Sequence, residues 1–424
     1  MKKTNTLFVR AQILNPQHDH KCDYYEDGLL VIKNGKIFDL LPYKKGVDQY
    51  IKEISISKII DKKNFLLMPS FFDMHFHWVQ DDVRLLPKDS LLEWLEKYTF
   101  PNEAKFKSKT FAKKKAQQFF KRLVSVGTLG GACYSSVHEQ ALHEAMKMAK
   151  GDLIIGNVLM TMNCPENLMQ TPFEAIDLSI RMMKKYKHRY VLTPRFAIAT
   201  HPEVMKQTSL IANKNKIFKQ SHLSETKPEI EFVLSLFKRK FPNYKNIKTY
   251  TDIYHQVGML GQNSLMGHAI HLNSHDIELL KKTKTNLIHC PTSNAPIKER
   301  GIGSGLFNYR KINKHKIKWA LGSDIGGGPF LSMFDVMKSF VQQQPKATFT
   351  MALYRATLAG AEILGLDHKT GNFKKGKDAN FILVKSSPLS KSNPEDQLSK
   401  IMSNSREVMD FLVESTYYKG KKVF

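Results

Sequence analysis

Apolar and polar positions alternate near both ends of the chain, whereas the middle switches between short apolar runs and segments of helical period. Residues 7–14 and 29–38 are apolar-rich, with Asn34-Gly35 as a turn signal, and 54–60 alternates as a strand does. Residues 380–384 and 410–418 have the same character, punctuated by Gly376 and Gly420. Residues 1–66 are therefore expected to be β structure. They are expected to join 373–424 in a small β-sandwich domain built from both termini.

Residues 67–372 read differently. Candidate strands at 65–68, 128–135, 152–160, 190–194, 217–221, 264–269, 286–289 and 316–322 are separated by helix-period segments. Ala112, Ala116, Phe119, Phe120, Leu123 and Val124 share one helical face, and Ile230, Val233, Leu234 and Phe237 share another. Eight strand–helix units over about 300 residues predict an α/β fold with a (β/α)8, or TIM, barrel at its centre. In such a barrel the chemistry sits at the C-terminal ends of the strands. Polar residues follow the predicted strands accordingly: His75 and His77 the first, Arg195 the fourth, His222 the fifth, His268 the sixth and Asp324 the eighth.

Composition adds exclusions. Of the 424 residues, 42% are hydrophobic and 10% aromatic, as in a soluble globular protein. No run approaches the roughly 18 apolar residues of a membrane span. The start, MKKTNTLFVRAQIL, has an apolar run broken by Arg10 and Gln12 with no small-residue cleavage site after it, so the chain is read as cytosolic. Cys22, Cys133, Cys164 and Cys290 are scattered, with no CxxC pair, which argues against a disulfide framework or a thiolate zinc site. The formal charge of +26 raises nucleic acid as a partner. The lysines are spread over the whole length and no nucleic-acid-binding motif is present, so a solvated basic surface is expected, with no specific nucleic acid and no membrane.

His75 and His77 sit at i and i+2, so on an extended backbone both imidazoles face the same way. With His222 and Asp324 they make a plausible mononuclear site, three imidazoles and a carboxylate, suited to zinc or ferrous iron. Such an ion lowers the pKa of a water toward roughly 7. Each residue also has a plain structural role open to it. His222 can be a satisfied core histidine, Asp324 a helix cap near Gly326, and His268 a backbone partner. Glu225, three residues after His222, can move protons between water, ring and leaving amine, or simply open the following helix. Arg195 offers a rigid fork for a carbonyl or carboxylate, and Gln80 a donor–acceptor pair. Phe196 and Trp78 can wall an aromatic ring; core packing is the alternative for Phe196, surface pairing for Arg195.

The chain resembles the amidohydrolase superfamily in PSFFDMHFH (69–77), His222, His268 and the GSD ending at Asp324. Within it, the chain is similar to the guanine deaminase group. The marks are LLEWLEKYTFPNEAKF (91–106), ACY (132–134), LTPRF (192–196), QSHLSE (220–225), YTDIYHQVGML (250–260), HCPTSN (289–294) and GSDIGGG (322–328). The resemblance implies one zinc per subunit on His75, His77, His222 and Asp324, with guanine held by Gln80, Arg195 and Phe196 and Arg195 toward its O6. It further implies that Glu225 shuttles protons, that His268 helps hold the attacking water and that Asp324 also takes a proton from it, giving xanthine and ammonia. Dimers are usual for this group. Ser70 stands where glycine is usual, Met74 where Thr or Ser is commoner, and SNAPIKERGIGSG (293–305) replaces the shorter SNLFLGSG. A deaminase for 8-oxoguanine, a pterin or a triazine, and a non-catalytic polyanion-binding scaffold, are the alternatives.

Overall fold

The computed structural model describes residues 5–54, 59–386 and 393–424, which form two sheets. The chain begins with β1 (Thr6–His18), β2 (Lys21–Lys33) and β3 (Lys36–Pro42), antiparallel neighbours in sequence order. Asn34 and Gly35 join β2 to β3 with φ of 52° and 79°, as a two-residue turn matched to strand twist requires. A side chain at Gly35 would stand 2.6 Å from the Lys419 carbonyl oxygen. The stretch read as uniformly β then contains a helix, Tyr43–Ile54, anchored by buried Gly46 and Tyr50. The strand expected at 54–60 is not formed as drawn: Ile54 ends that helix, 55–58 lie outside the described residues, and β4 (Ile59–Pro69) starts at Ile59.

The barrel follows, as β5 (Phe71–His77), β6 (Thr128–Ser135), β7 (Asp152–Leu159), β8 (Val191–Pro194), β9 (Phe218–Leu223), β10 (Ser264–His268), β11 (Asn286–His289) and β12 (Trp319–Leu321). These eight strands lie in sequence order, each paired parallel with the next. Asp324 N donates to His75 O and His77 N to Ile325 O, both at 2.7 Å, which ties the last strand back to the first. Buried Asp73 braces the same seam, accepting from Ser323 N at 2.9 Å and from the Ser323 hydroxyl. Ala132, Ile154, Val191, Leu265, Ile288 and Ala320, one from each of six strands, pack in a single apolar cluster, the filled interior such barrels need.

The chain returns to the first sheet with β13 (Phe381–Lys385), β14 (Val413–Tyr418) and β15 (Lys421–Lys422). The terminal segments thus share one hydrogen-bonded sheet in the order β15-β14-β13-β4-β1-β2-β3. This overturns one expectation. The run 65–68 is not the first barrel strand; it belongs to β4 and pairs antiparallel with β13, Met68 opposite Ile382. The first barrel strand is β5, so His75 and His77 lie within its last three residues rather than beyond it. The strand expected at 410–418 starts at Val413, after a short helix Arg406–Met409. Of the linker-like stretch 386–396, residues 387–392 lie outside the described residues.

One helical face read from the sequence is used whole and the other in part, Ile230 and Leu234 being only half-buried. Ala112, Ala116, Phe119, Phe120, Leu123 and Val124 are buried on the helix Lys109–Ser125. On Lys227–Lys240, Val233 and Phe237 are buried together with Leu236.

Candidate active site

Three barrel strands, β5, β9 and β12, deliver His75, His77, His222 and Asp324 to one rim, where one ligand atom from each lies within 4.8 Å of the others. His77 Nε2 is 3.1 Å from His222 Nε2, and Asp324 Oδ1 is 3.3 Å from His75 Nε2 and 3.5 Å from His77 Nε2. The backbone makes this crowding possible. A Cβ at Gly267 would stand 2.6 Å from His75 Cε1, and one at Gly322 2.8 Å from His75 Cβ. Ser224, His268, Ala269 and Asp324 all have φ between 49° and 67°, so the strand ends that carry the polar groups hold left-handed, strained backbone.

The donor set fits a metal ion. Burial lowers the pKa of His75 and of His222 from 6.5 to about 3, and drives His77 and His268 well below the ordinary value. The rings are therefore neutral, the form that ligates metal. His222 Nδ1 donates to the Arg195 carbonyl at 2.6 Å, which leaves the Nε2 lone pair facing the cluster. His75 Nε2 is buried and makes no hydrogen bond among the described residues. A cation among these nitrogens would satisfy them; apolar packing would not.

A prediction follows for the metal-free protein. Its unfolded histidines bind protons below 6.5, whereas His75 and His222 in the fold do so only near 3. The unfolded state binds more protons across that window, so stability is full above it and falls as pH drops through it. Thermal melting of chelated protein from pH 7 to pH 4 should show a falling midpoint; a flat profile would contradict neutral buried rings.

Next to the cluster, a pocket is lined by His77, Gln80, Leu91, Trp94, Leu95, Arg195, Phe196, His222, Glu225, Glu229, Ile302, Asp324 and Gly327. Glu225 is buried and accepts from Asn294 Nδ2 and the Ser304 hydroxyl, each at 3.3 Å. Burial, then the nearby Asp324 and Glu229 carboxylates, raise its pKa well above the usual range. His268 Nδ1 lies 3.3 Å from Glu225 Oε1, and its Nε2 3.9 Å from Asp324 Oδ2, so His268 stands between the two carboxylates.

Gln80, Arg195, Phe196, Glu225, His222, His77 and Asp324 thus converge on one pocket. Trp78 does not join them. His75 and His77 face the barrel interior, so Phe76 and Trp78 turn outward, and Trp78 packs against Phe106 and Phe120 with Nε1 donating to Ser135. The aromatic wall is made instead by Phe196 and Trp94.

The sequence reading also missed Glu103. It is fully buried and accepts from Gln80 Nε2 at 2.8 Å and from Arg195 Nη1 at 2.9 and 2.8 Å. It lies on Phe100–Ala104, reached from Leu91–Trp94 through a π-helical turn, Leu95–Thr99, next to Pro101, which has no N–H to give. The only sequence signal was its place in the run 91–106. The altered loop lies at the mouth: Ile302 lines the pocket, and buried Lys88 donates to Arg84 O at 2.8 Å and Arg300 O at 3.3 Å. Ser70 N donates to Asn380 O at 3.2 Å, and Met74 packs in one cluster with Phe72 and Leu358.

The model of the amidohydrolase family matches residues 66–423. The chain is 32% identical over 418 residues to the guanine deaminase of Escherichia coli (strain K12), a match covering 95% of this chain and 92% of that one. It is 30% identical over 351 residues to that of Homo sapiens, covering 78% and 74%. In structure it is similar to E. coli guanine deaminase, with a TM-score of 0.88 at 30% identity over 99% of each chain. It is also similar to guanine deaminase from C. acetobutylicum with guanine bound in the active site, with a TM-score of 0.87 at 28% identity over 99% of this chain and 100% of that one.

Proposed function

The chain belongs to the amidohydrolase family and, within it, to the guanine deaminases, and we propose that this pocket is where it hydrolyses guanine to xanthine and ammonia. One observation carries the assignment to this pocket: a metal-competent cluster and a buried pair of ring-reading side chains, Arg195 and Gln80, line the same space. Zinc is the ion assigned to His75, His77, His222 and Asp324; when bound there it supplies a water acidic enough to be deprotonated near neutrality.

The protein's own groups do the rest. Arg195 donates to the ring carbonyl oxygen, and Phe196 and Trp94 lie beside the ring. Glu225 takes a proton from the attacking water and, because its buried carboxyl binds protons tightly, keeps it until the ring nitrogen beside the reacting carbon accepts it. Asp324 takes the second proton, and His268 orients the water between the two carboxylates. Oxygen adds to the carbon, the ring nitrogen keeps the proton from Glu225, and the C–N bond breaks as the amine takes the proton from Asp324 and leaves as ammonia. Among the described residues no helix is long and apolar enough to cross a membrane.

Purified metal-loaded protein should release ammonia from guanine, with xanthine formed in equal amount; no release would overturn the proposal. Arg195→Ala should raise KM for guanine by ~10- to 100-fold, the worth of a hydrogen bond from a charged donor. Metal content should not change, because His222 is oriented by the Arg195 backbone carbonyl, which alanine keeps. Loss of metal in this variant would refute the role given to the guanidinium.

A further inference from the structure

We infer that Glu103 sets the substrate specificity of this pocket by locking the two side chains that read the ring; the inference rests on the pocket being a guanine site. Glu103 is a positioning residue: it lines no part of the pocket and touches Gln80 and Arg195 from behind. A carboxylate can only accept hydrogen bonds. The Gln80 amide must therefore turn its NH2 toward Glu103, and the 2.8 Å contact from Nε2 shows it doing so. That leaves Gln80 Oε1 as the end available to a ligand; among the described residues no donor reaches it. Nothing else among the described residues hydrogen-bonds the Gln80 side chain, so Glu103 alone fixes which end faces out.

Glu103 constrains Arg195 in the same way. Both its oxygens are taken by Nη1, at 2.9 and 2.8 Å, and no acceptor among the described residues reaches Nε or Nη2. The pocket accordingly presents donors beside an acceptor, with the order fixed. That is the complement of a ring carbonyl next to a ring N–H. A ring with an amino group in place of the carbonyl, and a bare nitrogen in place of the N–H, meets donor with donor and acceptor with acceptor. If the Gln80 amide were free to turn over, half of that conflict would vanish. A neutral partner at position 103, able to donate as well as accept, would allow it.

The test uses 2,6-diaminopurine, which keeps the reacting 2-amino group and replaces the ring carbonyl by an amine. Ammonia release gives kcat/KM for it and for guanine in the metal-loaded parent, Glu103→Gln and Glu103→Asp. The ratio of guanine to 2,6-diaminopurine should fall ~10-fold or more in Glu103→Gln, since discrimination by a locked hydrogen-bonding pair is lost. Glu103→Asp withdraws the carboxylate by one methylene but keeps its charge against Arg195, and should shift the ratio the same way if the Gln variant does not fold. A purely structural role would depress both substrates together, and an unchanged ratio in a folded, metal-replete variant overturns the inference. A parent enzyme inert on guanine would instead overturn the function proposed above, so the two failures are told apart.

Discussion

Replacing Glu225 by glutamine is expected to lower kcat by about 10²- to 10⁴-fold, the usual worth of a positioned proton-transfer group, with the metal retained. Glutamine has the same shape, and its oxygen can still accept from Asn294 and Ser304, so the pocket should keep its form. What is lost is a site that can bind a proton and release it. Glu225 suits that work because burial beside Asp324 and Glu229 raises its proton affinity well above that of an exposed carboxyl. It is not among the four groups that converge as ligands, so metal per chain should equal that of the parent. Steady-state kinetics with metal analysis on the same preparation decide the matter; a kcat within threefold of the parent would remove Glu225 from the mechanism.

Truncating His222 to alanine should abolish turnover by a different route. His222 is one of the four groups that can converge on an ion, and the Arg195 carbonyl sets the tautomer of its ring. Losing a mere supporting contact to a ligand costs roughly 10–100-fold in metal affinity, and losing the ligand itself costs more. After dialysis against buffer without metal, the variant should retain little ion and release ammonia only at background rate. The parent should lose activity to a strong chelator and regain it when zinc is restored. A variant that kept its full complement of metal would show that His222 is not a ligand.

Much of this site was legible in the sequence because a barrel displays its chemistry at strand ends. His75 and His77 share a face by two-residue alternation, and His268 and Asp324 each follow a short apolar run, while His222 ends the strand-like IFKQSH. The same alternation, read one residue further, sends Trp78 outward against Phe106 and Phe120. The misplaced first strand has another cause. Residues 65–77 are apolar almost throughout, and only the tertiary structure shows that β4 ends at Pro69 and pairs with β13 while β5 begins at Phe71. Glu103 was invisible for a physical reason: a glutamate in a helical run reads as solvated, and only the fold reveals it buried against Arg195. Trp94 and Ile302 reach the pocket from segments whose local pattern says nothing of a ligand.

The seam of the barrel bears on the order in which the molecule assembles. Asp73 bonds a residue 250 positions away, and the same junction brings His75 against Asp324. A nascent chain that has not yet emitted Asp324 holds the three histidines but cannot bring the carboxylate to them. Closure between residues so far apart is slow, because chain entropy is lost before any contact rewards it. An ion held by all four groups would then act as a check on completeness, because only the closed ring offers the full set, and by mass action would draw the population toward it. Refolding in the presence of zinc should therefore raise the yield of closed barrels more than it speeds the collapse that precedes them.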